Sequence, residues 1–163
     1  MDIEIREATE ADIPLLHLVF ELSVTGLCSR DYKPEQIHAW VARADMNRWR
    51  ELVESDLQFW VALESKSGFP VGFTSINKEG YLHSMFIHPD FKRQGIATML
   101  LSQAEAFACH SDIPSMYAEV SLTARPFFEK QGYKVEREQT IIVNGVGMRN
   151  FVMRKLVGCG NSL

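Results

Sequence analysis

Disulfide and metal frameworks are the first things this sequence lacks. Three cysteines occur among 163 residues (Cys28, Cys109 and Cys159), odd in number, far apart and in no Cys-x-x-Cys pair. That argues against a disulfide framework or a zinc site and points to a reducing cytoplasm. No stretch approaches the ~18 uninterrupted apolar residues of a membrane span. The opening MDIEIREATE is acidic and has no apolar core, so no secretory signal is expected. An excess of positive charge is missing too: Lys plus Arg is 17 against 21 Asp plus Glu, a net charge of −4. A mildly acidic domain makes a poor general nucleic-acid binder, although a local basic patch is not excluded. Repeats, linkers and low-complexity stretches are absent. What remains is 46% hydrophobic and 23% charged, an ordinary globular composition. The length suits one domain that buries about two-thirds of its unfolded surface without staples.

Periodicity predicts the order of elements. Residues 2–8 alternate as a strand, and Thr9 starts a helix whose apolar positions Ile13, Leu16, Val19, Phe20 and Val24 run to Gly26. Pro34 opens a second helix with Ile37, Trp40 and Val41 inward, and Asp45 caps a third over 45–54. Strands follow at 57–63, 70–77 and 81–87, closely linked as an antiparallel meander. A long helix covers 94–109, a strand 115–120, a short helix 123–131, and two strands at 133–143 and 147–156 meet at Asn144-Gly145, a strong hairpin signal. The expected fold class is α/β: one domain over 1–157 with a mixed, mostly antiparallel sheet and flanking helices, then a short tail, 158–163.

The segment from Met85 to Ala97 leaves a strand, turns at His88-Pro89-Asp90, and enters a helix at Gly95-Ile96-Ala97. Free amides at a helix start, small residues that allow close approach, and the cations Lys92 and Arg93 together make an anion seat. The Gly-Lys-Ser/Thr of a nucleotide-triphosphate loop is absent. Gly145-Val146-Gly147 is a hairpin turn, because a strand follows it and the third glycine of a dinucleotide fingerprint is replaced by Asn150. The five histidines form no metal site. His83 lies inside a central strand that ends at the anion seat, on the same face as Met85 and Ile87. It stands open between a general base titrating near ~6.5 and a hydrogen-bonded structural histidine. Trp40, Trp49 and Trp60 read as core, whereas Tyr32, in a loop, is the aromatic expected to face a ligand.

These motifs resemble the GNAT superfamily of N-acetyltransferases. Its signature, Gln/Arg-x-x-Gly-x-Gly/Ala after a strand, reads here Lys92-Arg93-Gln94-Gly95-Ile96-Ala97, with Lys in first place. A second landmark, Asn-x-x-Ala-x-x-x-Tyr-Glu-Lys-x-Gly-Phe, matches at Ala124, Glu129, Lys130 and Gly132 but has Ser121 for Asn and Phe128 for Tyr. The stretches 32–40 and 123–129 are similar to a branch of uncharacterised bacterial acetyltransferases. The resemblance implies acetyl-CoA as co-substrate. Its pyrophosphate would lie on the amides of Arg93, Gln94, Gly95, Ile96, Ala97 and Thr98 beside Lys92. Its pantetheine arm would run along Met85, Phe86 and Ile87, near Phe128. The amine acceptor would meet Tyr32 and His83, and His83 would take the proton. Phe128 has no proton to give the departing thiolate, so Ser121, Tyr133 or water would do so. The implied partners are acetyl-CoA and an amine, with no nucleic acid, membrane or metal. Oligomeric state stays open, a homodimer included. The alternative function is an acyl-CoA-binding or interaction module with little or no transferase activity.

Overall fold

The computed structural model describes residues 2–158. The expected tail therefore lies, apart from Gly158, outside the described residues. Strand β1 (Ile3–Glu7) precedes helices α1 (Ile13–Leu27), α2 (Pro34–Arg43) and α3 (Met46–Glu54). Strands β2 (Gln58–Glu64), β3 (Pro70–Ile76) and β4 (Leu82–Ile87) then form the meander. Helix α4 (Ile96–His110), β5 (Ser115–Ser121), α5 (Arg125–Lys130), β6 (Lys134–Val143) and β7 (Val146–Leu156) complete the chain.

The first helix starts later than expected. Thr9 begins a 3-10 turn over Glu10–Asp12, and α1 starts at Ile13. Pro14 has no N–H to donate back to Glu10, so the entry closes through the tighter bond from Asp12 N to Thr9 O, 2.9 Å. The Asp12 carboxylate secures the turn by accepting from Thr9 N at 2.8 Å and from Arg6 at 2.8 and 2.9 Å.

The strands make two antiparallel sheets, β1-β2-β3-β4 and β5-β7-β6. They join at one point, where Tyr81 and Tyr117 form a parallel bridge with rings stacked 5.1 Å apart and Tyr117 N donates to Gly80 O at 2.9 Å. Gly80 permits this approach: its φ is +89°, and a Cβ there would lie 2.3 Å from the Ser115 carbonyl oxygen. Beyond this root β4 and β5 share no ladder, so they splay apart.

Helices α1–α3 cover one face. Ile13, Leu16, Val19, Phe20, Val24, Ile37 and Trp49 pack there on Phe59 and Phe73, with Phe86 against them. The opposite face carries α4, whose Ile96, Leu100, Leu101, Ala104 and Ala108 meet Val71, Ile76, Leu82, Met116 and Ala118. Burying large apolar side chains at ~1.5–3 kcal/mol each supplies the driving force on both faces. Among the described residues no helix is long and apolar enough to cross a membrane. Cys109 is disulfide-bonded, against the expectation from cysteine spacing. Distance along the chain does not forbid a bridge, and the cysteines therefore lose their value as a sign of compartment.

Candidate functional site

Beyond the Tyr81–Tyr117 bridge, the splay leaves the outer edge of β4 unpaired among the described residues. His88 N donates to Val71 O at 2.9 Å, which fixes the alternation along β4. Phe86, opposite Phe73, spends its main-chain groups on β3. Met85 and Ile87 turn theirs toward the gap, while their side chains lie with α4. Phe86 sends its ring the other way, 5.0 Å from Phe20 and 6.2 Å from Trp40. Of these three expected residues, two offer backbone to a ligand in the gap and one braces the floor.

The chain leaving β4 builds the seat. His88 Nδ1 accepts from Asp90 N at 3.1 Å, and its buried ring packs between Phe69 and Phe91. After the 3-10 turn Pro89–Phe91, Arg93 and Gly95 adopt left-handed φ angles of 60° and 81°. These two reversals aim successive amides outward. The first helical bond is Met99 N to Gly95 O at 3.0 Å, and the amides of residues 93–98 have no acceptor among the described residues. A Cβ built on Gly95 meets nothing within 4 Å. Lys92, Arg93, Gln94 and Thr98 are exposed, Ala97 is half-buried, and Ile96 is buried as the anchor. Amides without an acceptor among the described residues, the positive end of a 15-residue helix and the exposed cations Lys92 and Arg93 fit a pyrophosphate.

A second cluster lies on the opposite face, the one that α1–α3 cover, and it corrects the placement of His83. The β3–β4 register shifts between Ser75 and Ile76, whose partners are Ser84 and Leu82, so His83 is a bulge residue. The extra residue turns His83 and Ser84 to the same side, away from Met85 and Ile87. His83 Nδ1 lies 2.9 Å from Ser84 Oγ, which lies 2.7 Å from Ser75 Oγ. Nε2 has no partner among the described residues. Burial, aided by the charges of Arg48 and Arg43, draws the imidazole from 6.5 down to about 4. The expected titration near 6.5 is thus also corrected, and His83 is neutral at physiological pH.

Next to His83, Tyr81 donates its hydroxyl to Glu119 Oε1 at 2.9 Å, and Gln139 donates to Glu119 Oε2 at 2.5 Å. Burial, followed by the Glu119 charge, pushes the Tyr81 phenol up. Gln139 and Ser121 flank Asn150 across β6-β7-β5. Asn150 is 6% exposed, and its Oδ1 is buried with no hydrogen-bond donor among the described residues. Sequence reasoning missed Tyr81, Glu119, Gln139 and Asn150. The only signal was alternation along β5, which puts Glu119 and Ser121 on one face.

Three expected residues hold the fold. Tyr32 is 6% exposed; its hydroxyl donates to Arg149 O at 2.7 Å and accepts from Leu122 N at 3.0 Å. It ties the α1–α2 loop to the end of β5 and only borders an open cleft lined by Arg30, Lys33 and Arg149. Tyr32→Phe strands both main-chain groups and is expected to lower stability by about 2 kcal/mol, read as a lower denaturant midpoint at unchanged slope. Tyr133 is 2% exposed and donates to Glu105 at 2.8 Å, so its proton is held under α4. Phe128 is buried edge-on to Phe127 and Tyr133 at 5.3 and 5.2 Å. Ser121 is half-buried; its Oγ accepts from Ala124 N at 3.1 Å, and its own proton has no acceptor among the described residues. Burial raises the Cys28 thiol to about 11, which removes it as a nucleophile. No metal-binding group of His, Cys, Asp or Glu occurs among the described residues.

Comparison with known proteins places this geometry. The family described as acetyltransferase (GNAT) domain matches residues 28–156. The uncharacterized N-acetyltransferase YafP of Escherichia coli is 35% identical over 94% of this chain and 95% of its own. Among solved structures, a GCN5-related N-acetyltransferase from Rhodopseudomonas palustris superposes with a TM-score of 0.89, at 25% identity over 96% of both chains. The PaiA N-acetyltransferase of Thermoplasma acidophilum, in complex with coenzyme A, gives 0.77 at 23% identity, covering 96% of this chain and 99% of its own. At that identity the last likeness speaks for the fold alone.

Proposed function

The chain belongs to the GNAT acetyltransferase family, and from that premise we propose that it transfers the acetyl group of acetyl-CoA to a primary amine by direct attack on the thioester. One observation carries this reading: the unpaired amides of residues 93–98 and the unpaired edge of β4 at Met85 and Ile87 adjoin through a single turn. A pyrophosphate on the first and an extended amide-bearing arm along the second fill both sets of free groups.

The chemistry follows from what each residue has free. The Met85 N–H faces the gap and donates to the carbonyl oxygen as negative charge develops there. The amine enters from the α1–α3 face. Its nitrogen bonds to the acetyl carbon, the carbon–sulfur bond breaks, and the nitrogen's proton passes to His83 Nε2, directly or through water. The thiolate takes a proton from water, directly or relayed through Ser121, which regains its proton from that water, since Phe128 has none and the Tyr133 proton is engaged with Glu105. A cytoplasmic setting belongs to this reading because acetyl-CoA is supplied there.

The test is thiol release from acetyl-CoA against a panel of primary amines, with the acetylated amine identified by mass. Release that depends on an amine, with one acetyl group gained per thiol, is expected. Tight acetyl-CoA binding without release for any amine favours the binding-module alternative instead.

A further inference from the structure

We propose that helix α1 sets the position of the cofactor seat: Gly26 makes room for Pro89, His88 clamps the same turn, and both are positioning residues for acetyl-CoA. The inference rests on the acetyl-CoA reading of the seat and says what holds that seat in place.

Gly26 lies in the last turn of α1, where nothing in the helix itself asks for glycine. Its φ is not among the positive ones. The helix closes beyond it, with Cys28 N donating to Val24 O at 3.1 Å, and glycine is the poorest helix former after proline. The reason lies outside the helix: a Cβ on Gly26 would stand 2.6 Å from Pro89 Cγ and 3.1 Å from Pro89 Cβ. The proline ring closes onto its own main chain and cannot swing aside. Of the two partners the helix is the fixed one. Phe20, Val24 and Cys28 are buried, whereas the turn Pro89–Phe91 holds no buried residue and is the part that yields.

A shift of that turn reaches the seat directly. Pro89 O accepts from Lys92 N at 3.4 Å, and His88 O accepts from Phe91 N at 2.9 Å. The left-handed residues Arg93 and Gly95, which aim the amides of residues 93–98, follow at once. His88 holds the same turn from the sheet. Its main chain is anchored by His88 N on Val71 O at 2.9 Å. Its Nδ1 accepts from Asp90 N at 3.1 Å, and Phe69 and Phe91 flank the ring at 5.3 and 5.4 Å. The turn is thus gripped by β3 and β4 on one side and by α1 on the other. Helix α1 leads on to Tyr32, whose hydroxyl accepts from Leu122 N at the end of β5. One grip therefore relates the seat to both strands that border the gap.

Calorimetry with acetyl-CoA alone reads the seat, and denaturant midpoints read the fold. Gly26→Ala is expected to bind acetyl-CoA about tenfold more weakly, with the KM of an accepted amine unchanged at saturating acetyl-CoA. Pro89→Ala removes the ring atom that a Cβ on Gly26 would meet at 2.6 Å. The double variant, Gly26→Ala with Pro89→Ala, is therefore expected to bind more tightly than Gly26→Ala alone, a rescue that plain destabilisation does not produce. His88→Leu is expected to lose about tenfold in affinity, and His88→Asn, which keeps an acceptor for Asp90 N, to regain most of it. Wild-type affinity in Gly26→Ala, no rescue by Pro89→Ala, or equal losses in the two His88 variants overturns the inference. Where Gly26→Ala is too unstable to titrate, the double variant and the His88 pair decide. Gly95→Trp separates this inference from the reading beneath it. A loss there, with none in Gly26→Ala or His88→Leu, leaves the seat standing without this support, whereas wild-type affinity in Gly95→Trp removes the seat itself.

Discussion

Gly95→Trp is expected to weaken acetyl-CoA binding by about thirtyfold or more, some 2 kcal/mol, while the protein stays folded. Gly95 sits at φ +81°, where a side chain is strained, yet its Cβ would meet nothing within 4 Å. The fold therefore tolerates the change at a local cost of about 1–2 kcal/mol. The ligand does not, because the indole fills the space in front of the amides of residues 93–98. Gly145→Trp is the matched control: Gly145 has φ +80° and the same open surroundings, but lies in the β6–β7 turn. Calorimetry should find full affinity in Gly145→Trp and a large loss in Gly95→Trp. Wild-type affinity in a folded Gly95→Trp would remove the seat from the cofactor site.

How much of this was legible follows from the distance over which each feature is encoded. The seat was legible because strand end, proline turn, cations and helix start occupy one short segment, Met85 to Thr98, and each acts on its own backbone. The apolar faces of α1 and α4 were legible for the same local reason. His83 was misplaced because its direction depends on β3. Strand alternation predicts one face, and the shift of partners between Ser75 and Ile76 imposes the other. Glu119, Gln139 and Asn150 stand on β5, β6 and β7 and become neighbours only because β7 inserts between the other two. No spacing along the chain encodes that order. Tyr133 follows Gly132, whose φ of +91° turns the chain and delivers the ring beneath α4 to Glu105. Its availability could not be judged without that turn.

His83→Gln is expected to lower kcat/KM on the order of a hundredfold while leaving acetyl-CoA affinity nearly unchanged. General-base catalysis is typically worth ~10²–10⁴-fold, and a weakly basic imidazole belongs at the low end of that range. Glutamine preserves size and a hydrogen bond to Ser84 but accepts no proton. The pH dependence separates base from strut. With its imidazole near 4, His83 adds no inflection between pH 5 and 8, so the acidic limb of kcat/KM follows the acceptor's ammonium and keeps its position in His83→Gln. Stability should behave differently. The unfolded histidine binds its proton near ~6.5 and the folded one only near 4, so the unfolded state holds more protons between these values. Wild-type stability is therefore fully present above ~6.5 and falls, on the order of 3 kcal/mol, as pH drops toward 4. Denaturant midpoints in His83→Gln should lose that part of the acid dependence. A rate loss under about threefold, with the stability difference present, would mean that His83 only shapes the cleft and that water alone takes the proton.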